Sequence, residues 1–249
     1  MSVEVSDEGA ATIVTLRWPD KRNALNPRDA SETEAAIREA SRRARAVVVL
    51  AAEGAFCSGG DLRAFAKISA ECSEEEIARE VYGKMQGMIR ALSDCPVPTI
   101  AAVDGPAIGL GCDLALACDM RFVGKNGWLQ QGWGRANLIA ATGGVGFLSR
   151  LAPGSFWSLL ATQERLGPRE CEKLGIGLDA GEESAKNAAM ARADELSKIE
   201  REVLEAYVAL ERPTRWPPAD HFSQAATYQG RFIGSSRFRE QAKRLLDGL

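Results

Sequence analysis

Two short apolar runs constrain the fold of this chain more than any other feature. Residues 46–51 read AVVVLA and residues 97–103 read VPTIAAV. A run of this length with little polar alternation suits a strand covered on both faces, the habit of parallel sheets with helices on either side. Between the runs, residues 73–92 carry helical periodicity, opened by Ser73-Glu74-Glu75-Glu76, a capping box that satisfies two backbone N–H groups. Residues 11–16 (ATIVTL) alternate and are β-branched, so they read as a strand. Residues 27–44 set alanines and charges at helical spacing behind a capping Asn26, with Pro27 in the first turn. Residues 113–118 read as a short apolar helix and residues 120–123 as a further strand. This rhythm predicts an α/β fold with parallel strands. From about residue 185 the pattern changes. Residues 185–210 read as one long amphipathic helix and residues 220–249 as one or two more, with Pro213, Pro217 and Pro218 as separators. The expected organisation is an α/β core over residues 1–184 and a helical C-terminal region over residues 185–249, packed on its own body or on a neighbour's.

Composition removes several classes of function. With 31 basic and 34 acidic side chains the net charge is -3, which provides no basic footprint for nucleic acid. No apolar run reaches the 18 or so residues of a membrane-spanning helix. Residues 1–9 are acidic and polar, unlike a secretory signal, so a cytoplasmic protein is expected. The six cysteines form no CxxC pair, and with one histidine no metal site is expected; reduced thiols packed as small apolar groups fit better. A histidine dyad or triad must use His221 or none. His221 follows a proline-rich turn at a helix start, where a surface role is the simpler reading.

Each apolar run leads into a glycine turn. Phe56-Cys57-Ser58-Gly59-Gly60-Asp61-Leu62 follows the first, and Ala107-Ile108-Gly109-Leu110-Gly111-Cys112-Asp113-Leu114 follows the second and opens a helix. Glycines let the backbone turn tightly, and a helix start adds free N–H groups with a positive partial charge. Such donors suit an anionic oxygen. The dinucleotide fingerprint GxGxxG fails on spacing, because the glycines stand at 105, 109 and 111.

Together the two turns resemble those of the crotonase (enoyl-CoA hydratase/isomerase) superfamily. The likeness extends over residues 10 to 180. It includes Asp20-Lys21-Arg22-Asn23-Ala24-Leu25-Asn26, the block IAAVDGPAIGLGCDLALACDMR at residues 100–121, Thr142-Gly143-Gly144-Val145-Gly146 and Leu148-Ser149-Arg150-Leu151; residues 236–244 faintly resemble the terminal helix. The resemblance implies a crotonase-like ββα spiral core with a helical C-terminal trimerisation region. It implies that the Gly60 and Leu110 N–H groups bind a thioester oxygen. Backbone at Ala24, Asp61 and Leu62 would hold the adenine end of coenzyme A, with Arg22 near the phosphates. Acyl-CoA is the implied partner, coenzyme A enters only as part of the substrate, and a homotrimer or hexamer is implied.

The departures bear on the reaction. Hydratases of the superfamily use two glutamates; the first position is Asp113 here and the second is Trp133, which cannot exchange a proton near neutral pH. The aspartate used by dienoyl isomerases and aryl-CoA dehalogenases falls at Ala141. Gln131 resembles a glutamine of the naphthoate-synthase branch, and decarboxylases of the superfamily often lack both glutamates. Asp113 is therefore the sole expected acid/base, although an aspartate in a first helical turn also serves the dipole. Leu110 stands where the superfamily usually has glycine and narrows the acyl pocket. Trp133 is expected to wall that pocket and favour a flat or short acyl group. Tyr82, on the helix beside it, is a possible proton donor, with packing the commoner role. Hydration, isomerisation and decarboxylation stay open, as does an acyl-CoA-binding relative without catalysis.

Overall fold

The structure is a computed structural model and describes residues 3–248; residues 1, 2 and 249, the ends of the two expected regions and of the leading segment, lie outside the described residues. Strands β1 (Val3–Glu8) and β2 (Ala11–Leu16) form an antiparallel hairpin with Val5 opposite Val14. The acidic β1 escapes the sequence reading because it is an edge strand that keeps much of its surface in water. Helix α1 (Pro27–Arg43) starts at Asn26, whose side chain accepts from the Arg28 and Asp29 N–H groups while Asp29 accepts from the Asn26 N–H at 2.9 Å. Strand β3 (Val47–Ala52) leads to α2 (Leu62–Glu71), a helix the sequence reading passes over. Its signal was present: Asp61 caps it, accepting from the Arg63 and Ala64 N–H groups at 3.1 Å each, and Phe65 and Ser69 form its buried face.

The capping box at Ser73 opens α3 (Glu74–Glu76), which runs through a π-helical turn at Ile77–Val81 into α4 (Tyr82–Ser93). Next come β4 (Thr99–Val103), β5 (Pro106–Ile108), α5 (Leu110–Ala117), β6 (Met120–Val123) and β7 (Trp128–Gln130). Helices α6 (Gly144–Leu151), α7 (Phe156–Thr162) and α8 (Pro168–Lys173) precede β8 (Leu178–Asp179). Helix α5 starts at Leu110, three residues before its expected start, because Gly109 supplies the turn that releases it.

The main sheet runs β1-β2-β3-β4-β6-β8, parallel from β2 onward. A second, shorter layer is built from the residues that follow each strand. Leu25 bridges Gly60, Cys57 bridges Ala107, and β5 pairs in parallel with β7. The chain thus repeats a strand, a short strand or bridge, and a helix: a ββα spiral. The sheet is buried on both faces, as the apolar runs require. Val48 and Leu50 face the main core, while Val47, Val49 and Ala51 face a second cluster. That cluster is closed by Ala185, Ala189 and Ala193 of α9 (Ala185–Leu196), whose small side chains let the helix lie close to the strands. Asp104 fixes the start of α9, accepting from the Ala185 and Lys186 N–H groups at 2.6 and 3.1 Å.

The single helix expected over residues 185–210 is two helices, α9 and α10 (Arg201–Arg215). The apolar stripe 185/189/193 would need apolar residues at 197 and 200, and the chain has Ser197 and Glu200 there. Pro213, expected as a separator, sits inside the last turn of α10. Arg212 and Arg215, both buried, hold that turn down through the partly buried Asp119. Arg212 donates to Asp119 Oδ1 and Oδ2 at 3.0 and 2.7 Å, Arg215 donates to Oδ1, and Thr99 Oγ1 donates to Oδ2 at 2.7 Å. Helices α11 (Ala219–Gly234) and α12 (Ser236–Asp247) complete the chain, α11 lying across the π-helical turn where a Cβ on Gly230 would strike the Glu74 carbonyl. Among the described residues no helix is long and apolar enough to cross a membrane.

Candidate active site

The second layer positions the two glycine turns. The Cys57 N–H donates to Pro106 O at 3.0 Å and the Ile108 N–H donates to Cys57 O at 2.9 Å, so the turns after β3 and β4 are joined backbone to backbone. Gly111 is required by this closeness, since any Cβ would collide with the Cys57 carbonyl. Gly109 has φ 53° and ψ −111°, a conformation that side chains rarely tolerate. Leu110 is the first residue of α5, so its N–H lies ahead of the first intrahelical bond, made by Asp113 N–H to Gly109 O at 2.9 Å. At the other turn Leu25 N–H donates to Gly59 O at 2.9 Å and Asp61 N–H to Leu25 O at 3.0 Å, so the bridge bonds the neighbours of Gly60 and passes over its N–H. Two backbone donors, Gly60 and Leu110, are thereby left out of the ladder in turns that are themselves locked together. The N-terminal dipole of α5 adds positive partial charge at one of them. The Leu110 side chain is fully buried.

Asp113, in the first turn of α5, is fully buried. Gln131 Nε2 donates to its Oδ1 at 2.9 Å; Thr142 Oγ1 and Trp133 Nε1 donate to its Oδ2 at 2.6 and 3.2 Å. Gly144 lies close against Oδ1, where a Cβ would strike it. Burial pushes the carboxyl up to about 6, against the pull of Thr142, Gln131, Trp133 and Gly144. Trp133 sits in a 3-10 turn (Trp133–Ala136), and its ring lies 3.6 Å from the Cβ position of Gly109. The indole therefore spans from the turn that holds Leu110 to the carboxylate of Asp113. The sequence reading does not single out Thr142 as a partner of Asp113. Its signal was the hydroxyl beside Gly143-Gly144, where a Cβ on Gly144 would strike Asp113.

The expected coenzyme A residues gather around one turn. Arg22 is exposed, has φ 52°, and its carbonyl accepts from the Ser58 N–H at 3.1 Å. The Ala24 N–H donates to Lys21 O at 2.9 Å. Asp61 and Leu62 are half-buried at the start of α2, with the Lys21 ammonium 4.0 Å from Asp61 and paired with Asp29. Tyr82 is fully buried, and its hydroxyl accepts from Gln229 Nε2 at 2.7 Å. Burial drives that phenol well above its usual range. Gln229 also accepts from the Ile139 N–H at 3.0 Å, and Gln86 donates to Ala141 O at 2.9 Å and Phe222 O at 2.8 Å. These two glutamines tie α4 and α11 to the loop that carries Thr142; the sequence reading names neither, since their partners lie far along the chain. His221 is half-buried on α11, and its backbone N–H donates within its own helix start, to Pro218 O at 3.1 Å and Asp220 Oδ1 at 3.0 Å. Two surface clefts of about 490 and 500 Å³ flank α10, away from these turns.

A family model described as enoyl-CoA hydratase/isomerase matches residues 7–245. The chain belongs to the enoyl-CoA hydratase/isomerase family. A Rhodobacter capsulatus relative, named a probable enoyl-CoA hydratase, is 35% identical over 172 residues, which cover 68% of this chain and 64% of that protein. The mouse enoyl-CoA hydratase domain-containing protein 2, mitochondrial, is 32% identical over 169 residues, covering 66% of this chain and 55% of that protein. The match thus spans rather less than two thirds of the length of these relatives. The crystal structure of enoyl-CoA hydratase from Bacillus halodurans superposes with a TM-score of 0.88 over 98% of this chain and 100% of that one, at 18% identity. The fold is the crotonase fold, and the ββα spiral is its core.

Proposed function

We propose that the chain acts on an acyl-CoA thioester and stabilises an enolate with the N–H groups of Gly60 and Leu110. The observation that carries this reading is the joining of two glycine turns, each releasing one backbone donor. Charge that develops on a thioester oxygen is met there by fixed dipoles, each contributing on the order of 3 kcal/mol in well-measured oxyanion sites. Asp113 is the acid/base, and a carboxyl with a midpoint of about 6 is suited to exchange protons near neutral pH. Ala24, Asp61 and Leu62 hold the adenine end and Arg22 the phosphates, with coenzyme A as part of the substrate and no separate cofactor. With Trp133 at the position of a second glutamate, one carboxylate serves every proton transfer, so the enzyme is an atypical lyase or isomerase. A panel of enoyl-, 3-hydroxyacyl- and malonyl-type thioesters tests this. Turnover that collapses in Asp113→Ala is expected; no turnover of any thioester, or an unimpaired variant, would refute it.

A second reading is an acyl-CoA-binding relative without catalysis. It is favoured by the three side-chain donors on Asp113, two of which fill Oδ2. Tight binding by calorimetry with no turnover would support it, and hydratase activity gained in Trp133→Glu would show a scaffold lacking only its second carboxylate. Assembly as a homotrimer or hexamer belongs to the same proposal, supported by Val203, Tyr207 and Leu210, which line α10 with exposed apolar surface. Light scattering tests it, and a monomer would count against it.

A further inference from the structure

We propose that Trp133 is a positioning residue for Asp113: its indole N–H occupies the carboxylate lone pair on the side of the Gly109–Leu110 turn, and proton exchange with a bound thioester requires it to give that lone pair up. This rests on the reading of Asp113 as acid/base. An ionised carboxylate offers about four acceptor positions. Gln131 takes one on Oδ1, whose surroundings are crowded by Gly144, and Thr142 and Trp133 take both on Oδ2. On Oδ2 no position is left for a proton from substrate while both bonds stand. Of the three side-chain bonds, the indole's is the longest, 3.2 Å against 2.9 and 2.6 Å. Trp133 is also the partner whose ring lies against Gly109, next to the Leu110 N–H. Gln131 also reaches Cys112 Sγ at 3.5 Å, which holds it from behind, and Thr142 makes the shortest of the three bonds. When the indole yields, Oδ2 takes the α-proton and the C–H electron pair passes onto the thioester oxygen at Gly60 and Leu110; returning the proton reverses both movements.

The other titratable groups coupled to Asp113 are Cys57, Cys112 and Tyr82, all pushed up by burial and neutral near pH 7. A titration in this cluster between pH 4 and 8 therefore belongs to Asp113.

The test is a carbon-13 NMR titration of protein labelled at its aspartate carboxyls, the Asp113 signal being identified by its loss in Asp113→Asn. Trp133→Phe keeps a ring on Gly109 and removes the N–H. In it the Asp113 midpoint is expected to rise by about one pH unit. The acid limb of turnover should rise with it while KM holds. An unchanged midpoint overturns the proposal. Should Trp133→Phe fail to fold, the parent decides. Its Trp133 indole nitrogen-15 signal should titrate with Asp113 and lose that titration in Asp113→Asn, and a flat indole signal overturns the proposal. Neither titration needs turnover. A shifted midpoint in a protein inert to every thioester would thus support the Trp133–Asp113 link and count only against the proposed reaction.

Discussion

Leu110 donates through its backbone, so donor and side chain can be separated by mutation. It occupies the first position of α5, where proline is well tolerated because the N–H has no helical acceptor. Leu110→Pro deletes the donor and truncates the side chain, whereas Leu110→Ala only truncates. Steady-state kinetics should show kcat lower by about 100- to 1,000-fold in Leu110→Pro than in Leu110→Ala. Equal rates would remove Leu110 from the chemistry. Asp113, Trp133 and Leu110 could be singled out as candidates in the sequence because the family resemblance aligns each with a position near a glycine turn. Their surroundings were not. Thr142 lies 29 residues from Asp113, and Gln229 lies 147 residues from Tyr82, so only the folded chain makes them partners.

At the level of elements, the two glycine turns form one unit. Gly111→Ala drives a Cβ into the Cys57 carbonyl, which is backbone and cannot swing aside. A loss of about 3 kcal/mol is expected, the upper end for overpacking, with binding of acyl-CoA lost alongside; denaturant unfolding and calorimetry check both. The end of α10 depends on one charge in the same way. Asp119→Asn leaves the buried Arg212 without its counter-ion and Arg215 with only the exposed Glu211, and should cost about 3–5 kcal/mol. Urea unfolding would read this as a lower midpoint, and an unchanged midpoint would mean that the arginines find enough in the carbonyls of Ser93, Cys95, Val97 and Cys118. Long uniform runs made the central strands, α1 and the capped α3 start readable. The short β5 and β7 and the break between α9 and α10 were not, because a three-residue strand has no period to detect and the break is a change of stripe phase rather than a glycine or proline.

For the whole molecule, Asp113 and Asp119 pull stability in opposite directions with pH. Burial would push Asp119 up, but Arg212 and Arg215 outweigh it and hold the carboxyl below its usual 3.8. Its contribution is therefore present above that value and lost as pH falls through the lower folded one. Asp113 is raised from 3.8 to about 6. Its contribution is full below 3.8 and is lost as pH rises through about 6. Thermal unfolding from pH 4.5 to 7.5 should show the parent losing stability relative to Asp113→Asn as pH rises, and the opposite slope would mean that the carboxyl is not raised. The α/β class was readable from the strand–helix rhythm and the family from the likeness of the glycine turns, while assembly and reaction depend on surfaces and distances that no pattern encodes. The most direct test of the Gly60–Leu110 pair needs no knowledge of the reaction. Difference infrared spectroscopy of an acyl-CoA labelled with carbon-13 at the thioester carbonyl reads the polarisation of that bond on the protein. The expected result is a carbonyl band that falls in frequency on binding, stays low in Leu110→Ala and moves back toward the free value in Leu110→Pro. A band that matches the free thioester in water would contradict it.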